Sequence, residues 1–212
     1  MGGKSSAFGR VAEALCCGSA RPRDRIISTA RDLFHRHGIR GVGVEAIAEA
    51  AGTNKMTLYR HFSSKDELVV ECLQTVAREG LARWQHLEAE FPGDPMAQLR
   101  AWIHRAAEWI VADGRGCDLA NAAVELTEEG HPGRKLIEQC KTEHRHHLVG
   151  VCRAAGIAQA ELLADTLSLL IEGARVSRQS VGAEGPSAMF VRSSEAVIAS
   201  FAGLPEAARS QD

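Results

Sequence analysis

Between Gly52 and Lys65 the chain gathers side chains suited to the edges and phosphates of duplex DNA: Asn54, Lys55, Met56, Thr57, Tyr59, Arg60, His61 and Lys65. Cationic groups neutralise phosphates, while amide, hydroxyl and ammonium groups hydrogen-bond base edges. Such chemistry needs a rigid carrier. Leu58 and Phe62 are four apart and define an inward face, which leaves Lys55, Thr57, Tyr59, Arg60 and His61 on a face with no packing duty. Upstream, Val44, Ile47, Ala48 and Ala51 follow the i, i+3, i+4, i+7 spacing of one helix face. Gly52 supplies the permissive backbone for a sharp bend, and Thr53 or Asn54 is placed to cap the second helix. The spacing predicts helices over 44–51 and 54–62, a helix-turn-helix whose second member enters a major groove.

Composition supports a basic head on a helical body. The 212 residues contain few aromatics, and their apolar content is mostly Ala, Leu, Val and Ile, which predicts a nearly all-α protein. The net charge of −2 argues against nucleic acid when taken alone, but its distribution reverses that reading. Residues 21–65 hold nine Lys/Arg against four Asp/Glu, whereas residues 66–212 hold 14 against 22. Residues 1–20 are Gly/Ser-rich and aperiodic and are expected to be flexible. The predicted organisation is a DNA-binding domain over 21–67, with its motif at 43–62, and a helical ligand-binding and dimerisation domain over 68–212.

Further helices are predicted over about 23–37, 64–91, 95–113, 118–127, 133–155, 159–178 and 187–202, with the break at Pro92–Pro95 the clearest in the chain. The 159–178 helix is apolar around most of its circumference, and the last helix resembles it. Together they predict a homodimer interface through Leu167, Leu170, Phe190, Val197 and Phe201. A deep intrachain core is the other way to satisfy the same pattern.

Polar residues lying among apolar ones mark candidate effector contacts in the body. Trp102 and Trp109 are seven apart, Asn121 and Glu125 share a face, His144 falls on the stripe of Cys140, Leu148 and Val151, and Glu172 and Arg175 flank Ile171. Each has an intraprotein partner as its alternative. Cys117 follows Gly114-Arg115-Gly116 at a helix start, where helix dipole and cation favour a redox-active thiolate; a packed, inert thiol is the default. The six cysteines, Cys16, Cys17, Cys72, Cys117, Cys140 and Cys152, have no CxxC spacing, so neither a zinc ribbon nor a disulfide framework is expected. His144 and His147 lack an identifiable third ligand, so no metal is expected. No cofactor is implied. No GxSxG, HExxH, Walker or GxGxxG pattern occurs, and catalysis is not expected. With no 18-residue apolar run and no secretory segment, the expected place is the cytoplasm, at the nucleoid when bound to DNA.

The run Ile26-Ile27-Ser28-Thr29-Ala30-Arg31-Asp32-Leu33-Phe34, then Gly38, then Ile47-Ala48-Glu49-Ala50-Ala51-Gly52, then Thr57 through Leu68, resembles the TetR family of bacterial transcriptional regulators. The resemblance implies about nine helices, a three-helix head, a helical ligand-binding body and a homodimer released from a palindromic operator by a small molecule. It places Lys55, Met56 and Thr57 at the base-reading start of the recognition helix. Tyr59, His61 and Lys65 fall at phosphate-contacting positions, and Val44 and Glu45 open the supporting helix. Arg23, Asn54 and Arg60 complete the candidate DNA-facing set. Two departures stand out. Gly43 and Val44 offer no hydroxyl at the start of the supporting helix, and Glu45 is acidic, placed either to reject phosphate or to accept from a cytosine amine. Besides a ligand-responsive regulator, two alternatives remain open at this point: a helical dimeric ligand-binding or interaction protein without sequence-specific DNA recognition, and a thiol-based electrophile sensor acting through Cys117.

Overall fold

The structure, a computed structural model, describes residues 21–203. The segment 1–20, with Cys16 and Cys17, lies outside the described residues, as do residues 204–212. Nine α-helices and one 3-10 turn make up the described chain, which contains no strand. It divides into two compact units, one reaching Cys72 and one starting at Leu73.

The first unit is built from α1 (Pro22–His37), α2 (Val44–Ala50), α3 (Lys55–His61) and the first turns of α4 (Lys65–Glu90). Pro22 opens α1, where its missing N–H costs nothing, and Gly38 ends it at φ 78°. Helices this short are marginal alone, so packing must hold them. Ile26, Ala30, Ile47, Leu58, Phe62, Leu68 and Val69 form that packing and are all buried. The start of α4 is held by a reciprocal cap: the Ser64 hydroxyl accepts from the Glu67 N–H at 3.1 Å, and the Glu67 carboxylate accepts from the Ser63 N–H at 2.6 Å.

The second unit holds the rest of α4 with α5 (Pro95–Ala112), α6 (Asp118–Glu125), α7 (Pro132–Ala154), α8 (Ala160–Val181), a 3-10 turn (Pro186–Met189) and α9 (Phe190–Ala202). The Asp94 carboxylate caps α5 by accepting from the Ala97 N–H at 3.0 Å. The core runs through Leu99, Ile103, Leu148, Cys152, Leu163, Leu167 and Ile198, so α8 packs against α5, α7 and α9.

Two expectations are corrected here. The last helix starts at Phe190 rather than Ser187, because Pro186 opens a separate 3-10 turn. Leu167 and Phe190, expected at a dimer interface, are buried in the chain's own core. The greasy circumference of α8 therefore has two explanations at once. One side fills the core, and Leu162, Leu169 and Val176 stand exposed on the other at intervals of seven. Leu170, Val197 and Phe201 are half-buried at the edge of the core.

Gly41 is required by close approach: a Cβ there would lie 2.5 Å from the His37 carbonyl oxygen at the end of α1, whereas a Cβ at Gly43 would meet nothing nearer than 3.7 Å. Gly41→Ala is expected to destabilise the first unit by about 1–3 kcal/mol in chemical denaturation, and Gly43→Ala by well under that. Equal midpoints for the two variants would contradict the packing described.

Candidate nucleic-acid interface and polar cluster

The bend between α2 and α3 is fixed by backbone chemistry. Gly52 adopts φ 63°, its N–H bonds the Glu49 carbonyl at 3.0 Å, and the Thr53 N–H bonds the Ala48 carbonyl at 2.9 Å. Asn54 is the cap of α3, its side-chain oxygen accepting from the Thr57 N–H at 2.8 Å. With Leu58 and Phe62 turned inward, the opposite face carries Lys55, Met56, Tyr59 and Arg60 exposed, and Thr57 and His61 half-buried at its margins. Met56 is 77% exposed, an unusual position for so apolar a side chain.

Glu45 does not stand as a bare anion. Its carboxylate is hydrogen-bonded and ion-paired to the Lys55 ammonium, which also lies 5.9 Å from the Tyr59 ring centre. That hydrogen bond holds the Glu45 carboxyl below its usual range and raises Lys55. The acidic departure thus ties the supporting helix to the start of the recognition helix. Val44 is half-buried beside it, and Gly43 provides no side-chain cap for α2.

Two residues of the candidate DNA-facing set have duties within the head. The Arg23 guanidinium pairs with Glu71 at 2.8 Å and lies 5.2 Å from the Phe62 ring centre. The Lys65 ammonium donates to the Ile39 carbonyl at 2.5 Å and lies 5.9 Å from the Phe34 ring centre. Both brace α4 against the three-helix core. Arg25, not singled out in the sequence, donates to the Ala51 carbonyl at 3.5 Å at the end of α2.

In the second unit several candidate effector contacts converge. Trp102 is buried and stacks on Trp84 with ring centres 6.1 Å apart. His144 sits against both rings, 5.4 Å from Trp84 and 5.7 Å from Trp102, and its Nδ1 accepts from the Trp84 indole N–H at 3.2 Å. Burial first, then the charges of Lys141 and Arg175, push His144 down to about 4, so the imidazole is neutral. His147 stacks on the same indole at 5.7 Å. One oxygen of Glu172 accepts from Lys141 at 2.6 Å and from Arg175 at 3.4 Å, and the Lys141 ammonium lies 3.8 Å from the Cys117 thiol. Cys117 is half-buried at the start of α6, where Asn121 donates to the Arg115 carbonyl at 2.8 Å. Glu125 is half-buried in the last turn of that helix.

Trp109 does not join Trp102. It is 41% exposed and covered by the Arg83 guanidinium at 4.1 Å. Seven residues return to nearly the same side of a helix but move about 10 Å along it. At that height Ile110 takes the buried position instead. Lys141 and Trp84 were not singled out in the sequence, since their partners Glu172, Cys117 and His144 lie far from them along the chain. Burial pushes the Cys152 thiol up to about 11 and also raises Cys140, which suits unreactive thiols.

The sequence model for bacterial regulatory proteins of the tetR family matches residues 26–72, the segment that forms the head. Over that segment the chain resembles the TetR family. It is 30% identical over 94 residues to the HTH-type transcriptional regulator AcrR of Shigella flexneri, 44% of this chain and 43% of that protein. A match to TcmR of Streptomyces glaucescens, 34% identical, covers 44% of this chain and 40% of the relative, so the chain spans less than half the length of both. The probable acrEF/envCD operon repressor of Escherichia coli K12 is 28% identical over 171 residues, covering 77% of this chain and 74% of the relative. Among solved structures, a TetR-family regulator from Streptomyces coelicolor superposes with a TM-score of 0.77 at 25% identity, over 85% of this chain and 95% of that one. No helix among the described residues is long and apolar enough to cross a membrane.

The buried, neutral His144 carries a pH signature. Its folded pKa is lowered to about 4, so as pH falls through about 6.5 the unfolded chain takes the proton first. The associated stability is complete above pH 6.5 and is lost progressively towards pH 4, by about 3 kcal/mol in all. In a histidine-selective NMR titration the His144 ring signal is expected to hold its neutral position down to pH 5. A midpoint near 6.5 would contradict the burial.

Proposed function

We propose that this protein is a ligand-responsive, DNA-binding transcriptional regulator of the TetR family, a repressor released from a palindromic operator by a small molecule. The observation that carries this reading is the division of α3: Leu58 and Phe62 satisfy the core while Lys55, Met56, Tyr59 and Arg60 remain on one outward face. In the major groove, Lys55, Met56 and Thr57 read bases, while Tyr59, Arg60 and His61 hold phosphates. Glu45 orients Lys55 through their ion pair. Residues 21–67 form the DNA-binding part, and residues 68–212 form the effector-binding and dimerisation part. The protein acts in the cytoplasm.

Two recognition helices must lie about 34–36 Å apart to engage successive major grooves, which calls for a dimer. Leu162, Leu169 and Val176, exposed at heptad spacing on α8, supply the seam, with Leu170, Val197 and Phe201 at its border. Effector binding at the Trp84–His144–Glu172 cluster favours a different separation of the heads, and α4, continuous from Lys65 to Glu90, is the connecting rod. The effector shifts this equilibrium only through its differential affinity for the two separations.

Binding to a site selected from random duplexes tests the reading. Lys55→Ala and Thr57→Ala are expected to weaken the selected site by about ten- to a hundredfold while changing non-specific binding far less. Equal loss on both kinds of DNA would remove base reading from α3. Leu169→Glu is expected to yield monomers in sedimentation and to lose operator binding together with dimerisation; a dimeric L169E would place the seam elsewhere.

A further inference from the structure

Close to His144 two cations, Lys141 and Arg175, share the single anion Glu172. Nearby Asp165 cannot compensate, because Arg145 grips both of its oxygens, at 2.5 and 2.8 Å. Glu172 serves Lys141 and Arg175 through one and the same oxygen. Arg175, its side chain only 20% exposed, makes just that one side-chain hydrogen bond among the described residues, and a long one at 3.4 Å. A guanidinium offers five donors in a planar fork, and a partly buried fork left so open calls for a second acceptor. Because His144 accepts the Trp84 indole N–H at Nδ1, its own proton is on Nε2, which adds a neutral donor. Donors thus outnumber acceptors, and they adjoin the stacked rings of Trp84, Trp102 and His147.

We propose that the effector is a planar organic carboxylate, its anionic head held by Arg175 and Lys141 and its ring continuing the aromatic stack of Trp102, Trp84 and His147 from the exposed His147 end. A carboxylate matches the guanidinium fork with two parallel hydrogen bonds, which a neutral amide does not reproduce and an ammonium group opposes. Glu172 then acts as the resident competitor: the incoming carboxylate takes Arg175 from it, while Lys141 bridges the two anions. This assignment rests on the regulator reading only for the word effector; the charge preference of the site stands by itself.

Calorimetric titration of the full-length protein without DNA tests it, with benzoate and 2-naphthoate, their amides, and benzylammonium as probes. The carboxylates are expected to bind at least tenfold more tightly than the amides, and the ammonium ion least. Arg175→Gln and, independently, Lys141→Gln should each remove that advantage and leave amide binding unchanged, with far-UV melting curves confirming that both variants fold. Glu172→Gln should tighten carboxylate binding. Equal affinity for acid and amide, preference for the ammonium ion, or no saturable heat from any probe would overturn the proposal. Operator release is measured separately: a carboxylate that binds but leaves the DNA complex intact would count against the regulatory reading and not against the site.

Discussion

Leu58 and Phe62 set everything that the head does. A seven-residue helix has too few internal hydrogen bonds to persist alone in water. Its rotation about its own axis is therefore decided by which side chains it buries. Leu58 and Phe62, almost fully enclosed among residues such as Ile26 and Ile47, leave one rotational solution. Rotating α3 by one residue step, about 100°, would expose Leu58 and bury charged groups without partners, which costs several kcal/mol. The outward face is the complement of that choice. Arg23 and Lys65 then hold α4 to the same small core, one through Glu71 and the other through the Ile39 carbonyl.

Charge does different work in the two units. On the surface of the head, Lys55 and Glu45 form an exposed pair, which contributes little stability but keeps a flexible ammonium near the start of α3. Within the body, Lys141, Glu172 and Arg175 share a half-buried site in which one carboxylate oxygen serves two cations. Desolvation makes that imbalance costlier than the same arrangement in water. It also keeps His144 neutral, so that with Nδ1 held by the Trp84 indole its Nε2 is a neutral donor rather than a further positive charge.

The head was largely legible in the sequence because its signals are local. Apolar spacing, Gly52 and Asn54 act within a few residues, and α2 and α3 fall within one residue of the ranges that spacing predicts. Long-range partners were not legible. Nothing local to Arg23 announces Glu71, nor does anything near Lys65 announce the carbonyl of Ile39. In the body, periodicity identified α8 as apolar on nearly all sides but not which side meets the core. Hence the interface predicted from periodicity includes Leu167 and Phe190, which are buried, and leaves out Leu162, Leu169 and Val176, which are exposed. The polar cluster shows the same limit. His144, Glu172, Arg175 and Cys117 stood out singly, yet Lys141, which touches two of them, did so only in three dimensions.

Hydroxyl-radical footprinting on the tightest duplex recovered by random-sequence selection addresses the central claim, that paired recognition helices present a fixed outward face to DNA. Two protected patches on one face of the duplex, about 10 base pairs apart and related by a palindrome, are predicted. A single patch, or failure of selection to enrich any sequence, would contradict the account.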